Sequence, residues 1–545
     1  VTPSALAEAV RGAVAAAGLQ APDALALQAP RNPEHGDYAS NVALQLAKPA
    51  GRNPRELATE LATLLCDVEG VAAVDVAGPG FLNITLVKGT LGQLAADVVA
   101  ARMAYGTNST LAGQHLNVEF VSANPTGPLH VGGVRWAAVG DALARVLQAC
   151  GALVTREYYV NDAGNQVGLF ADSLDAVARG LPVPENGYQG DYIADYAAQC
   201  AALQPGITEL ADTERHAAYQ QLGLRVVLAD IRQALEGFGV HFDVWFSEAS
   251  LQSSGAVDRA LTRLRELGKV YEADGATWLR TTDFGDDKDR VLVKGDGEST
   301  YFTSDCAYYL DKRSRGADRV IIMLGADHHG YLGRMKAMAA CFGDDPALTL
   351  ELQIGQLVNV VQGGESVKMS KRAGTFLTLA EIVELVGVDA ARYSLARSSA
   401  DSPMDLDVDL LRQQSSDNPV FYVQYAHARF SRVLATAGDL GIDLREADPS
   451  LLVQDRETEL LRAIGEWPRV VASAGELRAP HRIARFLEET LAPAGQRFYD
   501  SCRALPMGED PVTELNRARL LLVSATRTVL ANGLALLGVS APERM

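Results

Sequence analysis

Two stretches of the chain carry residue types suited to phosphate chemistry. The first, Glu119-Phe-Val-Ser-Ala-Asn-Pro-Thr-Gly-Pro-Leu-His-Val-Gly-Gly133, joins a strand-like run at 115–122 to a segment with helical spacing. In that segment Val139, Ala142, Leu143, Val146, Leu147 and Cys150 recur at i, i+3, i+4, i+7, i+8 and i+11. A helix that starts beyond the carboxyl end of a parallel strand offers unpaired N–H groups and a positive dipole end to phosphate. Gly132 and Gly133 would let a nucleotide approach the backbone closely. The second stretch, Gly363-Gly-Glu-Ser-Val-Lys-Met-Ser-Lys-Arg-Ala-Gly374, sets Lys368, Lys371 and Arg372 in a glycine-flanked loop. Cations placed this way suit charge developing on a polyphosphate. Taken singly, the first stretch is a tight connection and the second a solvated basic turn.

The elements around these stretches change in texture along the chain. Up to about residue 105, Ala/Leu helices accompany a strand pair at 71–76 and 81–87 joined through Gly78-Pro79-Gly80, which predicts a small α+β domain. From about 109, strand and helix alternate as an α/β parallel sheet requires, with further strands at 154–160 and 319–324 and a hairpin over 277–293. Residues 165–250 read as a helical excursion. Beyond about 390 the strand signals stop, and helical segments at 418–435, 456–472, 481–501 and 512–537 predict an all-α bundle.

The composition sets limits. The chain has 545 residues, 48% of them apolar, with 49 Lys+Arg against 68 Asp+Glu and a net charge of −19. This describes an acidic globular protein of about three domains. The longest apolar run, 520–541, is interrupted by Arg527 and Asn532, so no membrane partner is expected. Six cysteines lie scattered without C-x-x-C spacing, which argues against disulfides and zinc and for a cytoplasmic location.

In this order on an α/β sheet, the two stretches resemble the HIGH and KMSKS signatures of class I aminoacyl-tRNA synthetases. Further segments narrow the resemblance to the arginyl-tRNA synthetases: Asn32-Pro-Glu-His-Gly-Asp-Tyr-Ala-Ser-Asn41, Gly78-Pro-Gly-Phe-Leu-Asn83, Tyr188-Gln-Gly-Asp-Tyr192, His241-Phe-Asp-Val-Trp-Phe-Ser-Glu248, Tyr301-Phe-Thr-Ser-Asp305, Gly325-Ala-Asp-His-His329 and Tyr422-Val-Gln-Tyr-Ala-His-Ala-Arg429. The resemblance runs over essentially the whole chain. It implies an N-terminal α+β domain binding the tRNA elbow (1–108), a Rossmann-like parallel-sheet catalytic domain with insertions (109–390) and an all-α anticodon-binding domain (391–545).

It further implies a monomeric enzyme that uses ATP, with Mg²⁺, to activate L-arginine as arginyl-adenylate and transfers it to the 3′-terminal adenosine of tRNA(Arg). His130, Lys368 and Lys371 would act on the phosphates, while Gly132, Gly133, Asp327, His328, Met369 and Ser370 complete the ATP site. A planar guanidinium wants paired carboxylates for forked hydrogen bonds, and Glu119 and Asp305 are the candidates, with Tyr301, Ser122 and Asn124 beside them. An Asp followed by two His also suggests a metal, but sequential neighbours rarely converge on one ion, so no metal site is expected at 327–329. For tRNA the resemblance points to Phe81, Asn83, Tyr425, Arg429 and Met545; separately, Arg482 and Arg485 beside His481 form a basic cluster at helical spacing that is a candidate for phosphate contact.

One departure stands out: the second His of HIGH is Gly133 here, with Arg135 and His328 as candidates to compensate. It motivates a rival reading, a tRNA-binding protein with a degraded site, against which the retained His130, Lys368 and Lys371 argue. Another rival is a cysteinyl or glutaminyl enzyme of the same class, although the scattered cysteines supply no zinc set for a thiol substrate. An acidic balance over a tRNA binder implies weak nonspecific RNA affinity and reliance on local contacts.

Overall fold

The computed structural model describes residues 3–22, 25, 27–28, 30, 35–367, 377–508 and 510–545, with the side chains of Pro3, Ser4, Asp327 and His329 outside that set. Its centre is a five-stranded parallel sheet. The strands are ordered Leu350–Gly355, Arg319–Gly325, His115–Glu119, Leu153–Val160, Val244–Ser247. The chain winds outward from His115–Glu119 to Val244–Ser247 and then returns to the other side with Arg319–Gly325. The winding direction therefore reverses at His115–Glu119, which opens a crevice at its carboxyl end. The helix Val131–Ala149 packs under this point with 14 of its residues buried, including the charged Arg135 and Asp141. Such all-round burial suits its run of Ala, Val and Leu.

Before the sheet lies a four-stranded antiparallel sheet, ordered Leu27–Gln28, Tyr38–Ser40, Phe81–Leu86, Val71–Ala77. The expected strand pair is there, and two strands of two and three residues, too short to show periodicity, extend it. Its helix Pro54–Cys66 starts on Asn53, whose side chain accepts from the Arg55 and Glu56 N–H groups, with Pro54 in the first turn. Within the sheet domain, Asp162 is bonded by Ser247 and Ala249, which ties two strand ends together.

Beyond 390 the expectation of helix alone is corrected: Met404–Asp407 is a strand, paired in parallel with Val358–Gln362. Only Leu406 of its four residues is buried, so its periodicity is silent and its partner supplies the ladder. The helices that follow include Pro419–Asp439, Asp455–Glu476, His481–Phe486, Ala492–Ser501 and Glu514–Leu536. Among the described residues no helix is long and apolar enough to cross a membrane.

One buried guanidinium joins three parts of the fold. Arg392, on the helix Val388–Ala396, donates to Asp141 Oδ2 at 2.5 Å, to the Phe238 carbonyl at 2.8 Å and to the Leu537 carbonyl at 3.2 and 3.3 Å. Asp141 is also bonded by Arg145 Nε at 2.7 Å and faces Arg156 Nε at 3.5 Å, so the carboxylate is shared among three cations. Just past the last helix, Gly538 has φ +68°, and a Cβ there would lie 1.9 Å from Arg392 Nη2. Gly441 has φ +69° with nothing within 4 Å of the same added atom. Gly441→Ala should therefore cost only the left-handed backbone penalty of about 1 kcal/mol, whereas Gly538→Ala should cost about 3 kcal/mol by also displacing the guanidinium. Thermal unfolding of both variants checks this, and equal losses would contradict it.

Candidate active site

The turn leaving His115–Glu119 is strained. Val121 and Ser122 hold φ +67° and +39°, a region that side-chain-bearing residues seldom occupy. Hydrogen bonds to the neighbouring strand hold it there. Ser122 Oγ donates to Glu119 Oε1 at 3.2 Å and accepts from the Tyr159 N–H at 3.1 Å. Tyr158 Oη donates to the Ala123 carbonyl, and Asn161 donates to Asn124 Oδ1. The turn thus delivers the chain to His130 in a set position.

His130 caps the helix Val131–Ala149, its Nδ1 accepting from the Gly132 N–H at 3.2 Å. With Nδ1 accepting, the ring proton sits on Nε2, which makes that atom a donor for an anionic oxygen. A Cβ at residue 132 would lie 3.1 Å from this ring, so glycine there keeps the cap. At residue 133 a Cβ would meet only ordinary contacts, 3.8 Å from Val121 and 3.9 Å from Leu129. Packing at the Cβ does not force glycine at 133.

Lys368, Met369, Ser370, Lys371 and Arg372 lie outside the described residues. The chain on both sides of them is anchored. The Val367 N–H donates to the Val360 carbonyl, and past the loop His130 bridges Thr378. The Val131 N–H donates to the Leu377 carbonyl at 3.1 Å, and the Leu379 N–H to the Leu129 carbonyl at 2.8 Å. The chain from Leu377 onward is therefore tied directly to the N-terminus of the His130 helix.

Arg135 does not replace the missing imidazole. It is buried and donates to the carbonyls of Gln356, Ser399 and Ser402, where it satisfies backbone rather than facing the crevice. His328 is exposed on the turn Ala326–Tyr331 beyond the strand Arg319–Gly325, with its ring edge-on to Tyr331. The Asp327 side chain is outside the described set.

On the other side of the strand ends, carboxylates gather. Asp305 and Tyr301 sit one turn apart on the helix Tyr301–Ser314 and so share a face. Tyr301 is largely exposed, its hydroxyl 3.7 Å from where a Cβ on Gly164 would lie. Asp305 accepts from Tyr331 Oη at 2.6 Å. Burial foremost pushes its carboxyl up to about 6; Tyr331 and Arg334 oppose the rise and Glu119 adds to it. Glu248 is buried and pushed up to about 7, by burial and then by Asp162 and Asp305. Between them the Tyr159 hydroxyl is driven far above its ordinary range by burial and by Glu248, Asp305 and Glu119. Among the described residues neither Asp305 nor Glu248 is ion-paired, whereas Glu119 faces the Lys312 ammonium at 2.8 Å. Carboxylates held without a counter-ion in a crevice suit a cationic ligand.

Sequence reasoning missed Glu248 and Asp162 as members of this cluster. Val244–Ser247 is a four-residue strand with no buried residue, set after a long helical excursion, so it carries no periodic signal. Had it been read as a parallel strand, the rule that ligands bind past carboxyl ends would have singled out Glu248.

The tRNA candidates lie apart from this crevice. Phe81 is 41% exposed on its strand and does not fill the hairpin core; Asn83 is buried, 3.4 Å from His35 Nδ1. Tyr425 and Arg429 share a face of Pro419–Asp439, where the Arg429 guanidinium lies 4.8 Å from the centres of both the Tyr425 and Tyr499 rings. They line a cavity of about 210 Å³. The chain end passes the same helix, with the Pro542 carbonyl 2.9 Å from His427 Nδ1, and Met545 is exposed. Arg485 is paired with Glu489 at 2.8 Å and Arg482 donates to Ser473, so the basic cluster is partly neutralised.

Comparison with known proteins agrees with this layout. The family model "tRNA synthetases class I (R), catalytic domain" matches residues 96–183 and 212–408, the arginyl tRNA synthetase N terminal domain matches 4–86, and the DALR anticodon binding domain matches 423–545. The chain is 57% identical to an arginine–tRNA ligase of Kineococcus radiotolerans, covering 99% of each chain. It is 56% identical to one of Frankia alni, covering 100% of each. In fold it is similar to the Thermus thermophilus arginyl-tRNA synthetase, with a TM-score of 0.78 and 22% identity over 99% of this chain and 100% of that one. These likenesses and the crevice geometry lead to one placement: the chain belongs to the arginyl-tRNA synthetases, class I aminoacyl-tRNA synthetases.

Proposed function

We propose that the chain activates L-arginine with ATP and transfers it to the 3′-terminal adenosine of tRNA(Arg), and that the crevice at the carboxyl ends of the central strands is where both steps occur. The observation that carries this reading is the Asp305–Glu248 pair, a half-buried and a buried carboxyl that have no ion-pair partner among the described residues. A guanidinium supplies the charge they lack and forks between them, with Tyr301 over the opening. In the first step an arginine carboxylate oxygen attacks the α-phosphorus and pyrophosphate leaves. That nucleophile is already ionised, so orientation and charge neutralisation are what the protein contributes. In the second, a ribose hydroxyl of the terminal adenosine attacks the acyl carbon and AMP departs.

The remaining assignments are part of the same proposal. His130 donates to a phosphate from Nε2, with Gly132, Gly133, Asp327 and His328 around the nucleotide. Lys368 and Lys371 neutralise the leaving pyrophosphate, flanked by Met369 and Ser370. Mg²⁺ arrives on the ATP phosphates. Phe81 and Asn83 belong to an elbow-binding surface within 1–108. Tyr425, Arg429 and Met545 belong to an anticodon surface within 391–545, where an aromatic–guanidinium platform can stack exposed bases. The enzyme is proposed to work as a cytoplasmic monomer.

Charging assays and ATP–pyrophosphate exchange with each amino acid, with and without tRNA, test the whole reading; arginine alone should support turnover, and no charging of tRNA(Arg) would sink it. Asp305→Asn should raise the arginine KM about 100-fold and move the ATP KM little. The pH dependence has a definite sign. Asp305 and Glu248 titrate near 6 and 7 and must be ionised to receive the guanidinium. The arginine KM should therefore fall as pH rises from 5.5 to 8, by up to about tenfold per unit for each proton lost, and level off above. An arginine KM flat across that range would contradict it. Since packing leaves space at 133, Gly133→His should fold and lower the ATP KM about threefold without changing the arginine KM, by adding a donor at the helix N-terminus. Steady-state kinetics in each substrate checks this.

A further inference from the structure

Behind the carboxylate pair lies a second, charge-compensated set, in which Lys312 and Glu157 are wholly buried and Arg315 reaches in from the surface. Lys312 is wholly buried and reaches three groups from the helix Tyr301–Ser314: Asn117 Oδ1 at 2.7 Å, Glu119 Oε2 at 2.8 Å and Glu157 Oε1 at 3.4 Å. Its ammonium also lies 4.4 Å from the centre of the Tyr308 ring. Glu157 is saturated. It accepts from Tyr308 Oη, from Asn117 Nδ2 and from Arg315 Nη1 and Nη2; burial would raise its carboxyl, but Lys312, Arg315 and Tyr308 hold it down to about 2. Two carboxylates, Glu119 and Glu157, thus stand against two cations, Lys312 and Arg315.

Lys312 lies seven residues, about two turns, from Asp305 on one helix, so the two point to nearly the same side. Asp305 faces the crevice; Lys312 faces its floor. Through Glu119, the ammonium connects to the strained turn, because Ser122 donates to the other oxygen of the same carboxylate. Resting on the reading that this crevice takes arginine, we infer that Lys312 is a positioning residue of the amino-acid site: it pins and neutralises Glu119, so that the turn at Val121–Ser122 is held and only Asp305 and Glu248 are left to receive the substrate cation. This assigns Glu119 to shaping the site more than to reading the guanidinium.

The charged and titratable groups facing the site can be followed element by element. Strand 115–119 contributes Glu119; strand 153–160 contributes Glu157 and Tyr159. Asp162 follows the end of that second strand, and Glu248 follows the end of Val244–Ser247. The helix Tyr301–Ser314 and the residue after it supply Asp305, Tyr308, Lys312 and Arg315, and the turn and helix beyond 326 supply His328, Tyr331 and Arg334. Of these, Lys312 is the cation bonded to Glu119.

The test is the pH profile of the arginine KM in wild type, Lys312→Arg, Lys312→Gln and Glu119→Gln. Losing the ammonium leaves Glu119 as a further unpaired carboxylate beside Asp305, so Lys312→Gln should shift the midpoint upward by about one pH unit. It should also raise the arginine KM at pH 7 about tenfold or more, while the ATP KM changes less than about threefold. Lys312→Arg keeps the charge and should leave the midpoint in place. Glu119→Gln removes a negative neighbour of Asp305 and should move the midpoint down, which keeps the inference testable should Lys312→Gln not fold. Unmoved midpoints in Lys312→Gln and Glu119→Gln, or an equal shift in Lys312→Arg and Lys312→Gln, would overturn it. A wild type that does not charge tRNA with arginine overturns the underlying reading instead; a charging wild type with unmoved midpoints overturns the role of Lys312 alone.

Discussion

Carboxyl groups partly withdrawn from water, with no ion-pair partner among the described residues, are the constraint around which the crevice is arranged. An isolated buried carboxylate is costly, and the cost is relieved either by protonation or by an arriving cation. Asp305, half-buried, and Glu248, buried, have no ion-pair partner among the described residues, while Glu119 and Glu157 are given lysine and arginine partners. In the proposed reading the contrast separates the two sets by role: the compensated set builds the floor, and the uncompensated pair receives the ligand. A substrate bearing a delocalised, forked cation is the natural complement.

The phosphate side follows different physics. In the proposed reading a helix N-terminus, a capping histidine and two glycines meet an anion with fixed partial charges. The strained Val121–Ser122 turn connects the two halves, since its hydroxyl bonds the carboxylate side while the chain it redirects carries His130. The helix beneath is in turn locked to the C-terminal bundle through Asp141, Arg392 and the carbonyl of Leu537, so the phosphate-facing end has little freedom to drift.

Much of this was legible in the sequence, where local chemistry and periodicity coincide. The helix after Gly133, the strands at 153–160 and 319–325, and the helical segments of the C-terminal bundle are long enough to show their period. The strands at Val244–Ser247 and Met404–Asp407 are not, because four residues with little burial are decided by partner strands. Glu119 was recognisable as an acid at a strand end, but the lysine that spends its charge comes from a helix almost 200 residues later. Arg135 shows the same limit in reverse: two residues from Gly133 in a helix is far around its surface, and its burial against three carbonyls is invisible locally. The acidic balance of −19 likewise says nothing of how Arg429 is stacked between two tyrosines.

The claim at the centre is that arginine replaces protons on a carboxyl pair. Calorimetric titration of the protein with arginine at pH 6.5, repeated in buffers of different ionisation enthalpy, counts those protons directly. A pair titrating near 6 and 7 should release a measurable fraction of a proton or more per arginine bound at that pH and almost none at pH 8.5. Binding with no proton release at pH 6.5 would contradict it.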